Sequence, residues 1–233
     1  MEILYNGFTL EFSQGAFPLS TDSLVLAHFA RLPKNATVLD LGSGCGTLGL
    51  LLCAKDSGCT VTGIELDSDA HEMALHNIRK NHLEDRLTSI CGDIADLPSH
   101  VRPGQFSCCI SNPPYFSAGP KSKTVPYARR DDFCDTHTLM AAASHALRYG
   151  GDFFLVHRPE KLAELCACGS SHMLEAKRLC LLRHRSNGPV TLVLVQFRKG
   201  GKPGLKWEEA ALFDATDRPT PYYNTLYHLS TTL

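Results

Sequence analysis

The chain has 233 residues, 43% hydrophobic and 20% charged, with a formal net charge of −1. These values suit one well-buried domain with room for a small appendage, and they exclude a disordered or collagen-like chain. No apolar stretch approaches membrane-spanning length, and the opening Met1-Glu2-Ile3-Leu4-Tyr5-Asn6-Gly7 is too short and too acidic for a signal peptide, so a cytoplasmic protein that engages no membrane is expected.

In chain order, residues 1–36 read as an N-terminal extension with a short hairpin and a helix. Residues 37–41 form an apolar run ended by a glycine cluster, which predicts a buried strand, and 47–54 continue as a helix with Leu48, Leu51 and Leu52 inward. A second strand over 59–64 and a second helix over 69–81 follow, the helix with Met73, Leu75 and Ile78 apolar. Strands are predicted at 87–91 and 106–110. A long helix over 132–149 is closed by Gly150-Gly151, and a fifth strand over 153–156 leads to a helix over 159–168. Runs at 174–185 and 190–197 flank Asn187-Gly188, a hairpin signal. Strand–helix alternation implies an α/β domain over residues 37–200, its mostly parallel sheet covered on both faces and its closing hairpin adding one antiparallel strand. Residues 201–233, rich in Gly, Pro and Thr, read as an irregular tail.

Ten cysteines suggest metal or disulfides, but Cys108-Cys109 and Cys166-x-Cys168 lack paired C-x-x-C spacing. They are read as reduced, mostly buried thiols with no metal. Charge is unevenly spread. Residues 1–120 hold 7 Lys+Arg against 13 Asp+Glu, and residues 121–233 hold 16 against 11. A basic second half, including Lys177, Arg178, Arg183, Arg185, Arg198, Lys199, Lys202 and Lys206, is the asymmetry expected of a surface for an anionic ligand, or of solvated strand faces.

Asp40-Leu41-Gly42-Ser43-Gly44-Cys45-Gly46 stands where the first buried strand turns into a helix. Glycines there let backbone N–H groups approach a ligand, and a helix N-terminus favours an anionic group. Gly44-x-Gly46-x-x-Gly49 also fits a dinucleotide pattern, so the loop alone leaves NAD and S-adenosylmethionine open. Glu65 could accept both ribose hydroxyls in either case. Asp40 could face a cationic amino-acid end or brace the loop; Asp93 could accept from an adenine N6 or cap a helix.

Asn112-Pro113-Pro114-Tyr115 follows the apolar run 106–110. An Asn oxygen and a proline-stiffened carbonyl can each accept one N–H bond from a planar, conjugated NH₂ group. Those bonds strengthen as the nitrogen pyramidalises, so the transition state is bound better than the ground state. Tyr115, together with Phe116, offers a flat face for a flipped base. The plainer reading of the same residues is a Pro-Pro turn that ends a strand.

Taken in order, Asp40-x-Gly42-x-Gly44-x-Gly46, Glu65, Gly92-Asp93 and the tetrapeptide resemble the amino-methylating group of class I S-adenosylmethionine-dependent methyltransferases. Thr21-Asp22-Ser23-Leu24-Val25-Leu26-Ala27, Ala128-Arg129-Arg130-Asp131-Asp132 and Val156-His157-Arg158-Pro159-Glu160-Lys161-Leu162 are similar to the bacterial family that methylates N6 of an adenine in the anticodon loop of a valine tRNA. The resemblance covers residues 1 to about 200. It implies a Rossmann-like, seven-stranded sheet with its last strand antiparallel, S-adenosyl-L-methionine as cofactor and tRNA as partner, with no obligatory protein partner. It implies that Asp22 helps hold the cofactor's amino-acid end, although Asp22 also suits the N-cap of a helix starting at Ser23. Arg129, Arg130, Lys121, Lys123, His157 and Arg158 are the expected substrate contacts, each balanced by an ordinary surface or strand-end role. Rival readings are a release-factor glutamine methylase, which presents the same planar NH₂, a DNA adenine methylase, an NAD oxidoreductase and a non-catalytic nucleotide-binding module.

Overall fold

The computed structural model describes residues 1–4, 6–12, 19–114 and 135–227. Its centre is an eight-stranded sheet built from β3 (Thr37–Leu41), β4 (Thr60–Glu65), β5 (Leu87–Cys91), β6 (Phe106–Ser111), β7 (Leu147–His157), β8 (Leu174–Arg185), β9 (Val190–Lys199) and β10 (Lys206–Phe213). The order across the sheet is β10-β8-β9-β7-β6-β3-β4-β5. All neighbours pair in parallel except β9, which runs antiparallel between β7 and β8. A separate two-stranded hairpin, β1 (Glu2–Ile3) with β2 (Thr9–Leu10), precedes helix α1 (Thr21–Phe29).

Period-two alternation places two cores on opposite faces of the sheet. Val38, Val61, Cys108, Ile110, Phe154 and Val156 face α1, α2 (Thr47–Lys55) and α3 (Ser68–Lys80). Leu39, Leu41, Ile64, Cys109, Phe153 and Leu155 face α4 (Thr136–Ala146) and α5 (Leu162–Ser171). All six residues of β6 are therefore buried, which is why that strand reads as a continuous apolar run. Burial pushes the Cys108 thiol up to about 11 and also raises Cys109 well above the usual thiol range, and every cysteine among the described residues is a free thiol.

Three local expectations change. The helix expected over 132–149 is α4, ending at Ala146, and the chain passes directly into β7. Gly150-Gly151 forms a bulge within that strand: Gly150 has φ +77, and the pairing with β6 slips between Phe106 and Cys108. The tail expected to be irregular supplies β10 and helix α6 (Pro221–Leu226), so the sheet has eight strands rather than seven. β10 reads poorly as a strand because Lys206, Trp207, Glu208 and Glu209 are all exposed. Its acidic residues meet the basic edge of β8, Glu208 with Arg178 at 3.3 Å and Glu209 with Arg183 at 3.5 Å. Helix α1 begins at Thr21 with Ser20 as its N-cap, accepting from Ser23 N at 3.2 Å, so Asp22 lies in the first turn and is not the cap.

Lysine 55 closes the other end of α1. Its Nζ donates to the carbonyls of Ala27 at 2.8 Å, His28 at 3.1 Å and Ala30 at 2.8 Å, satisfying groups that a helix C-terminus leaves open. Burial lowers the Lys55 pKa, and the neighbouring Arg178 and Arg31 push the same way. Replacing Lys55 by Met keeps the stem and removes all three bonds. The expected cost is ~1–3 kcal/mol in urea unfolding at neutral pH, because charged hydrogen bonds to otherwise orphaned carbonyls are lost. An unchanged urea midpoint would show that α1 does not depend on this cap.

Candidate active site

Strands β3 and β6 are neighbours, with Asp40 opposite Ile110, so the segments leaving their carboxyl ends start side by side. From β3 leaves the glycine loop, and from β6 leaves Asn112-Pro113-Pro114. Ser111 ties the two ends together, its buried hydroxyl donating to the Leu41 carbonyl at 2.7 Å. Asn112 is held in turn by α1: its Nδ2 donates to the Ser23 Oγ at 3.1 Å. Because a carboxamide is planar, fixing its NH₂ toward Ser23 turns its oxygen to the opposite side. Ser23 is 6% exposed and also contacts Ser20 through Oγ at 3.3 Å. Ser23 and Ser111 were not singled out by sequence, although Ser23 lies inside the quoted Thr21–Ala27 run; nothing in a lone serine signals a partner 89 residues away.

The loop glycines adopt left-handed backbone, φ +76 at Gly42, +53 at Gly44 and +85 at Gly46. A side chain at Gly44 would project into open space, so the constraint there is conformational and leaves the loop approachable. Gly46 is the N-cap of α2 and brings no side chain to it. Gly49, the third glycine of the dinucleotide-like pattern, acts differently: an added Cβ would fall 2.5 Å from Leu87 Cδ1, so it lets α2 pack on β5.

The acids around the loop occupy three distinct settings. Glu65, at the end of β4, accepts from Gly44 N at 2.7 Å and from Asp67 N at 2.9 Å, so it braces the loop while each oxygen keeps lone-pair capacity. Asp93 caps the 3-10 turn Ile94–Ser99 by accepting from Ala95 N at 2.8 Å. Asp40 is 1% exposed, and neither of its oxygens has a hydrogen-bond partner among the described residues. It borders a cavity of about 10 Å³ under the loop together with Ser43, Gly46 and Gly63. Burial first, then the charge of Glu65, pushes its carboxyl up to about 8.

At the same edge, Asp22 and Arg158 border a groove of about 300 Å³ with Thr21, His184, Thr191 and three leucines. His157, expected among the substrate cations, is neutral at pH 7. Burial, then Lys161, lowers it to about 4, and its Nδ1 accepts from Arg158 N at 2.8 Å, which leaves the proton on Nε2. Several other cations of the second half serve the fold itself. Arg198 pairs with Asp152 through two bonds of 2.9 Å; Lys199 binds the Ser144 and Leu147 carbonyls; Arg178 reaches the Phe29 carbonyl at 2.8 Å and lies over its ring. Tyr115, Phe116, Lys121, Lys123, Arg129 and Arg130 lie outside the described residues. Among the described residues no helix is long and apolar enough to cross a membrane.

The sheet order, the glycine turn after its central strand and the antiparallel strand inserted beside β7 are those of the class I methyltransferase fold. Solved structures share the fold: a predicted O-methyltransferase of Agrobacterium tumefaciens matches with a TM-score of 0.75 at 20% identity, over 89% of this chain and 96% of that one. A geranyl diphosphate C-methyltransferase of Streptomyces coelicolor, solved with Mg²⁺, geranyl diphosphate and S-adenosyl-L-homocysteine, matches with a TM-score of 0.57 at 13% identity, over 76% and 79%. Residues 11–165 match the methyltransferase small domain family. The tRNA1(Val) (adenine(37)-N6)-methyltransferase of Shewanella halifaxensis is 34% identical over 182 residues, 77% of this chain and 72% of the relative, and that of Shewanella putrefaciens is 28% identical over 99% and 97%. The chain belongs to the methyltransferase small domain family and, within it, to the family of the tRNA1(Val) (adenine(37)-N6)-methyltransferases.

Asp40 has a measurable signature. Its folded pKa stands above its unfolded one, so the cofactor-free protein binds a proton more tightly than the unfolded chain does. The contribution is full below pH about 4 and is lost as pH rises toward about 8, by at most ~1.4 kcal/mol per pH unit. Asp40→Asn is expected to flatten that slope in urea unfolding between pH 5 and pH 8; parallel slopes for wild type and variant would contradict the buried, unpartnered carboxyl.

Proposed function

We propose that this chain methylates the exocyclic N6 amine of an adenine in tRNA, with adenine 37 of a valine tRNA, as in its relatives' names, the intended target. The observation that carries the reading is the Asn112 carboxamide, fixed by Ser23 at the strand end next to the glycine loop. Asp40 oxygens without a partner among the described residues, beneath a loop of left-handed glycines, suit S-adenosyl-L-methionine, which when bound would supply an electrophilic methyl group on a sulfonium. Gly42, Gly44 and Gly46 would admit it along the backbone, Glu65 would accept from its ribose, Asp93 would orient its adenine, and Asp40 with Asp22 would face its cationic amino-acid end. A cation there favours the ionised form of Asp40, whose proton is then released.

Asn112 accepts one N–H of the target amine through its side-chain oxygen, and the Pro113 carbonyl accepts the other. Pro114 stiffens that turn, and Tyr115 with Phe116 stacks the flipped base. No general base is needed before attack, since the methylated ammonium is acidic and passes its proton to water. Positioning and hydrogen bonds that strengthen in the transition state carry the rate. Arg158, Lys121, Lys123, Arg129 and Arg130 are read as phosphate contacts, and His157 as a neutral donor through Nε2. A tRNA substrate accords with a cytoplasmic protein.

Asn112→Ala is expected to lower methyl transfer by roughly 10²-fold or more, the scale of losing one transition-state hydrogen-bonding group, with cofactor affinity near wild type by calorimetry. Equal loss of cofactor binding and turnover would remove the assigned role. With labelled cofactor, N6-methyladenine should appear in tRNA and not in DNA or in a release-factor glutamine; label in the release factor would replace the substrate while keeping the chemistry.

A further inference from the structure

Away from the glycine-loop edge, one group of side chains among the described residues combines metal-type donors: His137, Cys168 and His172. One ring nitrogen of each histidine and the Cys168 sulfur all lie within 4.8 Å of one another. His137 stands in the first turn of α4. Cys168 and His172 are four apart at the end of α5, hence on one face of that helix. The imidazoles meet edge to edge-on face, with centroids 5.8 Å apart and planes at 69°. Cys168 is 4% exposed and closes the group from inside, while His137 is exposed and His172 half-buried.

We propose that His137, Cys168 and His172 form a three-ligand site for a borderline-soft divalent cation, Zn²⁺ foremost, which pins the first turn of α4 to the last turn of α5. Two imidazoles and a thiolate match the ligand preference of Zn²⁺, which tolerates three protein ligands with water in the fourth position. At metal–ligand lengths of roughly 2.0–2.3 Å, tetrahedral donors stand ~3.3–3.8 Å apart. Closing from the present spacing asks for about 1 Å of movement, within reach of an exposed His137 side chain. The two helices are already aligned beside the group by a hydrogen bond from Thr136 Oγ1 to Glu164 Oε1. Charge balance is favourable too. The carboxyl end of α5 carries negative partial charge, which favours a bound cation. An edge-to-face ring pair beside a buried thiol accounts for the contact but not for three convergent donors.

The test uses the full chain, stripped with a chelator and titrated with Co²⁺ as an optical probe, then with Zn²⁺ in competition. One equivalent of Co²⁺ should give a thiolate-to-metal charge-transfer band that Zn²⁺ displaces. Cys168→Ser should abolish the band, while Cys166→Ser should keep it. His137→Gln, at an exposed position where folding is expected to survive, should weaken binding by at least roughly tenfold and cancel the rise in Tm that Zn²⁺ gives the wild type. No saturable band, a band unchanged in Cys168→Ser, or wild-type affinity in folded His137→Gln would each overturn the proposal.

Discussion

The arrangement depends on a single constraint: parallel strands β3 and β6 lie side by side at the centre of a sheet buried on both faces. Neither strand can slip by one residue without sending Asp40, Ile110 and their neighbours to the wrong core. Register thus fixes where each strand ends, and Ser111 binding the Leu41 carbonyl locks the two ends together. Two chain segments about 70 residues apart are brought to one edge by hydrophobic burial, backbone pairing and that single side-chain bond. The polar chemistry of the edge is then assembled on a scaffold that does not need it for stability.

Burial also sets the electrostatics. At that edge Asp40 has no hydrogen-bond partner among the described residues, while Glu65 and Asp93 accept from loop and turn N–H groups. An orphaned buried carboxyl is costly, and proteins retain such groups where a ligand completes them. The cations show the reverse economy. Arg178, Arg183, Arg198 and Lys199 satisfy carbonyls and carboxylates within the fold, so net charge of the second half overstated the surface left for an anionic partner. Counting charges by segment measures composition, whereas a ligand meets only the charges that the fold leaves unspent.

Much of this is legible in the sequence. The glycine turn after 37–41, the strand before Asn112 and the hairpin at Asn187-Gly188 announced themselves because turn chemistry and apolar runs are local signals. What escaped was relational. The bulge at Gly150-Gly151 mimics a helix stop, since a left-handed glycine serves either use. β10 joins the sheet through parallel backbone pairing with β8, and its exposed Glu208 and Glu209, which meet Arg178 and Arg183, carry no strand propensity of their own. Ser23 acquires its role from Asn112, and Asp22 cedes the cap to Ser20, two residues earlier.

Helix α1 joins these threads. Its N-terminal turn carries Asp22 and Ser23, its carboxyl end is closed by Lys55 from α2, and its flank meets the tail: His28 packs edge-on against Tyr222 at 5.5 Å, and Thr21 Oγ1 lies 3.4 Å from the Tyr227 hydroxyl. The tail in turn reaches the sheet through β10. The amide of Asn112 is therefore oriented by a helix held by α2, by the sheet beneath it and by the C-terminal segment. Groups that bind a planar amine must be fixed to within a fraction of an ångström to favour the transition state. On the proposed reading of Asn112, the tail helps hold the helix that aims it, although none of the tail's described residues carries the chemistry.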